Sequence, residues 1–220
     1  MIKFITEKSP YLADVIQFFK KPTLYLPAKK ASFQDFLILA LAELILILPV
    51  ILFITFFLGD KFENMVFDDL EDKPILILFA VVILAPLLEE LYFRYHQNRK
   101  YLSILLTLIV AVFAIIAEVY LSIFYLIYLV VLLGFKVSKK EIPIPFMVYS
   151  VSVFFAFVHL TNYVEVDWLA NFYWAPMLVF SQFIGGIILS FIRVHEGLFK
   201  AMLFHGMWNG LLSVFLFLPE

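Results

Sequence analysis

The feature that most constrains this chain is a series of seven apolar stretches that carry few charged residues. A helix needs about 20 residues to cross the hydrocarbon core of a bilayer, and about 17 suffice. The backbone finds no water to bind inside a bilayer, so such stretches are expected to be helices. The sequence therefore predicts an all-α, polytopic transmembrane bundle with about seven spans. The predicted spans are 36–59, 74–97, 101–117, 118–135, 144–161, 169–192 and 197–217.

Composition agrees with a membrane location. Hydrophobic residues make up 64% of the 220 residues and charged residues 15%, whereas soluble domains are about half apolar and about a quarter charged. The formal net charge of −2 gives no reason to expect a nucleic-acid partner. Cysteine is absent, which excludes disulfides, thiol catalysis and cysteine-bound metal.

The least certain division lies inside 101–135, which at 35 residues is too long for one crossing. Glu118 is its only polar break, so we expect a tight helical hairpin there. Two prolines, Pro49 and Pro86, fall inside predicted spans and should kink them.

The basic residues predict the orientation of the bundle. With seven spans, one side of the membrane holds 14 of the 16 Lys and Arg residues, and the other side holds only Lys61 and Lys73. The positive-inside rule then places the N-terminus in the cytoplasm and the C-terminus outside. We expect a cytoplasmic N-terminal segment, 1–35, and one transmembrane domain, 36–217. Tyr11–Phe19 is either a short amphipathic helix on the membrane surface or part of a tethered tail.

The second span carries the richest polar cluster, the sequence EELYFR at 89–94. Ionisable residues at bilayer depth cost about 3 kcal/mol each on insertion scales, so each requires a reason. Glu90 and Arg94 are four residues apart and can pair along one helix face. Glu89 points about 100° away and has no partner in its own segment, which favours a functional role.

Two further motifs place histidines within spans. The sequence FAFVH puts Phe155 and His159 four residues apart, and HGMWN does the same for His205 and Asn209. A single motif of this kind is more often a hydrogen bond between helices. Together with Glu89, the two histidines and the amide form a plausible catalytic set. A carboxylate and an imidazole can activate water, while a second imidazole and an amide can donate hydrogen bonds to an oxyanion.

These three motifs, in this order on three membrane helices, resemble the CPBP (Abi) family of type II CAAX prenyl endopeptidases and bacteriocin-processing and immunity proteins. Glu-Glu-x-x-x-Arg, Phe-x-x-x-His and His-x-x-x-Asn are all complete, and the resemblance covers roughly 74–217. The chain departs from the pattern at Tyr95, where many members have Gly, and in the inserted 101–135 hairpin.

The resemblance implies an intramembrane endopeptidase that hydrolyses a peptide bond of a membrane-associated peptide or protein, such as a prenylated or precursor substrate. It implies that Glu89 is the general base on water, assisted by His159. His205 and Asn209 would stabilise the oxyanion. Glu90 and Arg94 would orient the site, and Phe155 would support it.

Three alternatives stay open. The same fold could serve as a non-catalytic membrane scaffold or bacteriocin-immunity protein. A transporter could also use buried Glu and His residues, but no inverted repeat is visible. Finally, Glu89, His159 and His205 could bind a catalytic zinc, and the family is often labelled metalloprotease. We favour no metal cofactor, because Asn209 is a poor zinc ligand but a good oxyanion donor.

Other polar residues in the spans receive no catalytic role. Glu43 in the first span has no partner in sequence, and we assign it none. Gly185 and Gly186 are expected to permit close packing of helices.

Overall fold

The structure is a computed structural model that describes residues 9–25, 30–62, 73–114, 119–163 and 166–216. These residues form helices and short turns, with no β-strand among them. The α-helices are α1 (Pro10–Lys20), α2 (Phe33–Leu58), α3 (Pro74–Phe79), α4 (Ala85–Arg94), α5 (Tyr101–Ala114), α6 (Val119–Val137), α7 (Ile144–Val158), α8 (Trp168–Asn171), α9 (Ala175–Leu178), α10 (Phe180–His195) and α11 (Leu198–Leu216).

A π-helical segment, Ala80–Leu84, joins α3 to α4. Short 3₁₀ turns follow four of the helices or join them, at Gly59–Lys61, Tyr95–Asn98, His159–Asn162 and Phe172–Trp174. The predicted all-helical class is therefore confirmed for the described residues.

Helices lie in all seven predicted stretches, but they differ in length. Three are long and apolar enough to cross a membrane: Phe33–Leu58, Ile75–Asn98 and Ile144–Asn162. Trp168–Leu178 and Phe180–His195 pass the same test as a pair with a 45° bend between them. The structure therefore supports an integral membrane protein with three or four candidate spans within its described part.

The predicted hairpin is represented by two shorter apolar helices, α5 and α6, which pack against each other. Glu118, the predicted polar break, lies outside the described residues. The kinks expected at the two prolines stay predictions. Pro49 lies inside the continuous helix α2, and Pro86 lies in the first turn of α4, directly after the π-helical segment.

Local sequence explains where several helices begin. Ser32 and Asp35 form a reciprocal capping box at the start of α2, which satisfies backbone donors that a helix leaves unpaired. Ser9 caps α1 in a similar way, with Pro10 at its first position. Gly197 adopts φ +106 between α10 and α11, a conformation that suits glycine and lets the chain reverse in one short turn.

Helix α10 is the centre of the bundle, since every residue from Ile184 to Ile192 is buried. Its two glycines allow close approach, as predicted. A Cβ at Gly186 would lie 3.0 Å from Ser152 of α7, and one at Gly185 would lie 3.0 Å from Glu43 Oε1 of α2.

The N-terminal helix α1 packs onto the bundle. Tyr11 and Phe18 are buried, and each places its ring edge-on to Phe191 of α10, at 5.3 and 5.2 Å respectively. The described residues of this segment therefore form a helix, and its position at the membrane surface stays a prediction.

Candidate functional site

The centre of the candidate site is an ion pair between Glu90 and Arg94 on α4. Arg94 Nη1 lies 2.6 Å from Glu90 Oε1, and both side chains are fully buried. The pairing predicted from the four-residue spacing is therefore confirmed. An ion pair buried this deeply requires both partners, because removing either leaves an uncompensated charge.

Helix α11 brings His205 to the same carboxylate. His205 Nδ1 lies 3.0 Å from Glu90 Oε1, and the imidazole is buried. Glu90 therefore connects two helices, since its Oε1 accepts one hydrogen bond from Arg94 and a second one from His205.

Glu89 lies on the other side of the same imidazole. Its Oε2 is 3.7 Å from His205 Nε2, and its side chain is 27% exposed whereas that of Glu90 is 0% exposed. Glu89 Oε2 is nevertheless buried and has no hydrogen-bond partner. The two adjacent glutamates thus have different environments, as the helix-face argument predicts.

The hydrogen-bond partners fix the tautomer of each imidazole in its neutral form. His205 Nδ1 faces a carboxylate, and His159 Nδ1 lies 2.7 Å from the carbonyl oxygen of Phe155. Carboxylate and carbonyl oxygens accept hydrogen bonds, so Nδ1 carries the proton in both rings. Nε2 of each ring is then available as a base or, in the protonated ring, as a donor.

The Phe155 ring joins the members of the site. It contacts the Arg94 guanidinium at 4.2 Å, the His159 ring at 4.8 Å and the His205 ring at 5.7 Å. His159, at the junction of α7 and the following 3₁₀ turn, lies within electrostatic range of Glu89 and His205. The structure therefore brings Glu89, Glu90, Arg94, Phe155, His159 and His205 together.

Asn209 has a different partner from the one expected. Its Nδ2 donates a hydrogen bond of 2.9 Å to the carbonyl oxygen of Val81, in the π-helical segment. Ala85 N–H donates to Ala80, and Pro86 has no N–H, so Val81 lacks both helical donors that could reach it. The amide of Asn209 replaces them and keeps a second N–H.

One glycine of α11 permits this contact. A Cβ at Gly206 would lie 2.5 Å from the carbonyl oxygen of Val82, so only glycine allows α11 to approach the π-helical segment this closely. Sequence reasoning assigned no role to Val81, Val82 or Gly206. The available signal was Pro86, which removes backbone donors from the preceding turn, together with the glycine after His205.

An apolar cavity of about 340 Å³ adjoins the site, between α4, α5, α6 and α7. Glu89 is part of its wall, next to Tyr92, Phe93 and Val158. The candidate carboxylate is therefore accessible from a space that is suited to apolar groups.

A zinc ion would require Glu89, His159 and His205. The tautomers suit a metal ligand, because each Nε2 presents a lone pair while Nδ1 binds an oxygen. However, no three His, Asp or Glu side chains in the described ranges are grouped so that they could hold one ion. Whether this site binds zinc stays a prediction for the metal measurement proposed below.

Comparisons with known proteins give no match to this chain among protein-family models, curated proteins or solved structures.

Proposed function

We propose that this protein is an integral membrane endopeptidase that hydrolyses a peptide bond of a membrane-associated peptide or protein. The observation that carries the proposal is the environment of Glu89. Its carboxylate has a buried oxygen without a hydrogen-bond partner, it borders a cavity, and it faces an imidazole held by a buried ion pair. Glu43 also has buried oxygens without hydrogen-bond partners, but of the two residues only Glu89 lines the cavity and lies beside an imidazole. An ionisable group at bilayer depth that borders a cavity usually marks function.

Glu89 acts as the general base. It removes a proton from a water molecule, whose oxygen forms a bond to the carbonyl carbon of the substrate. His159 assists by accepting a hydrogen bond from the same water at Nε2. The proton held by Glu89 then passes to the amide nitrogen as the C–N bond breaks, which yields a carboxylic acid and an amine.

His205 stabilises the negative oxygen of the tetrahedral intermediate. Its Nδ1–H is bound to Glu90, so it donates through Nε2 when the ring is protonated. Glu90 holds the orientation of this ring, as a carboxylate behind a histidine does in other hydrolases. The second N–H of Asn209 is the other candidate donor.

The test uses full-length protein reconstituted in phosphatidylcholine vesicles with a library of apolar peptides, and mass spectrometry to detect cleavage. Glu89→Gln removes the base with little change in shape, so it should abolish cleavage. Glu141→Gln, at an exposed residue before α7, is the matched control and should cleave normally. If neither the wild type nor the control cleaves any peptide, or if Glu89→Gln cleaves as they do, a non-catalytic scaffold is the better description.

Metal dependence needs its own measurement. We expect purified active protein to contain less than stoichiometric zinc and to keep its activity after exhaustive chelation. Stoichiometric zinc whose removal abolishes activity and whose return restores it would make Glu89, His159 and His205 metal ligands, and would overturn the metal-free mechanism.

We also propose the complete topology of seven spans, with a cytoplasmic N-terminus and an external C-terminus. It rests on the 14-to-2 division of Lys and Arg residues between the two sides. Reporters fused to each terminus should give signals from opposite sides of the membrane. Both signals on one side would rule out an odd number of spans.

A further inference from the structure

The cavity beside Glu89 has a size that suits one large side chain. Its volume is about 340 Å³. For scale, an engineered apolar cavity of about 150 Å³ in another protein stays dry and binds benzene. A space about twice as large, with mainly apolar walls, can hold an aromatic or branched aliphatic side chain and gives water few partners.

The tyrosine hydroxyl groups in the cavity wall form hydrogen bonds with other groups of the same wall. Tyr125 donates a hydrogen bond of 2.7 Å to the backbone oxygen of Tyr92. Tyr92 in turn forms a side-chain hydrogen bond with Ser122. These bonds connect α4 to α6, and they leave the faces of the rings as the surface that an occupant would contact.

Glu89 differs from these hydroxyl groups, because its buried oxygen has no hydrogen-bond partner. Glu89 also lines the cavity, so an occupant lies beside the residue that we propose as the base. When a peptide bond is held for attack near that carboxylate, the side chains close enough to enter the cavity are those of the two residues flanking the bond.

We propose that this cavity is a specificity pocket for a large apolar side chain, aromatic or branched aliphatic, of a residue that flanks the scissile bond. The inference rests on the proposed function and adds the substrate class. Helices α5 and α6 form the outer wall through Val110 and Leu121, so the hairpin sets which side chain is accepted.

The first test fills the pocket from the hairpin side. Val110→Trp and Leu121→Trp each place a large ring in the cavity. Both should lower kcat/KM at least about ten-fold for peptides with Phe or Leu at the flanking position, and far less for peptides with Ala there. Val130→Trp is the matched control, because Val130 lies on α6 away from the cavity and is 56% exposed, close to the 52% of Val110. An unchanged preference in both variants, with Glu89→Gln inactive, would overturn the pocket but not the protease.

The second test does not depend on catalysis. Glu89→Gln protein in phosphatidylcholine vesicles is mixed with an acetylated Ala/Leu decapeptide that carries one diazirine leucine at its centre, and is then irradiated. The probe should label residues of the cavity wall such as Val110 or Tyr125, and labelling should be lost in Leu121→Trp but kept in Val130→Trp. Labelling that is unchanged in Leu121→Trp would overturn the proposal. Labelling of the same residues by a diazirine phosphatidylcholine that the peptide does not displace would also overturn it, in favour of a lipid chain.

Discussion

His205 Nδ1 lies 3.0 Å from the same Glu90 oxygen that Arg94 binds at 2.6 Å. One buried carboxylate therefore neutralises a cation on its own helix and orients an imidazole on another. This arrangement explains why two adjacent glutamates are present. Glu90 is fully buried and holds Arg94 and His205, whereas Glu89 is 27% exposed and lines the cavity, so Glu89 is the glutamate that we propose for chemistry.

The two glutamates should respond differently to the same substitution. Glu90→Gln leaves the buried Arg94 charge without an anion, which we expect to cost about 3–5 kcal/mol of folding free energy. Glu89→Gln removes a partly exposed carboxylate and should change stability by less than about 1 kcal/mol. Thermal unfolding of both variants in the same detergent measures the difference. Similar losses of stability in the two variants would contradict the division of roles.

The contact between α11 and the π-helical segment can be tested by replacing each of two glycines of α11 with alanine. In Gly206→Ala the new Cβ would lie 2.5 Å from the Val82 carbonyl oxygen, so α11 must shift. We expect a destabilisation of about 1–3 kcal/mol and loss of cleavage, because His205 moves with the helix. Gly210→Ala meets only side-chain atoms of Val82, at 3.7 and 3.8 Å, and should be neutral or stabilising by up to about 1 kcal/mol. Equal effects at both positions would mean that the close approach is unimportant.

Features that depend on one helix could be predicted from the sequence. Long apolar stretches predicted the helices, and the four-residue spacing predicted the Glu90–Arg94 pair. Adjacent small residues predicted the close packing at Gly185 and Gly186. Each of these follows from the fixed geometry of an α-helix, in which 3.6 residues make a turn.

Features that depend on how helices face each other could not be predicted from the sequence. The spacing of His205 and Asn209 shows that they share a face, but it does not show which carbonyl or carboxylate that face meets. The π-helical segment adds to the difficulty, because its wider turns alter the rotation of everything after Ala80 relative to an ideal α-helix. Asn209 therefore meets the Val81 carbonyl, which no motif indicated.

Glu43 should be dispensable for stability. It is 2% exposed, and neither of its carboxylate oxygens has a hydrogen-bond partner. A buried polar group without partners costs about 1–3 kcal/mol. Glu43→Leu, which has a similar volume, should therefore raise the free energy of unfolding by roughly this amount and leave cleavage unchanged. A loss of stability or activity in this variant would show that the carboxyl group has a partner or a function.

Phe155 should affect the rate of cleavage more than the fold. Its ring touches Arg94, His159 and His205, so replacing it by Leu removes the surface that sets the angle of both imidazoles. Misplacing catalytic groups by about 1 Å can cost about 10²-fold in rate. We expect Phe155→Leu to lower kcat by about 10–10²-fold with little change in KM, because the residue touches the catalytic groups and does not line the cavity.

Phe157→Leu provides the matched control for this prediction, since Phe157 lies on the same helix and is 40% exposed. It should keep both kinetic constants, and thermal unfolding of the two variants separates positioning from stability. If Phe155→Leu is destabilised but retains its kcat at a temperature where it is folded, the ring serves packing alone. A fall in kcat in a folded protein, absent from Phe157→Leu, is the result expected if the ring positions His159 and His205 for attack on the substrate.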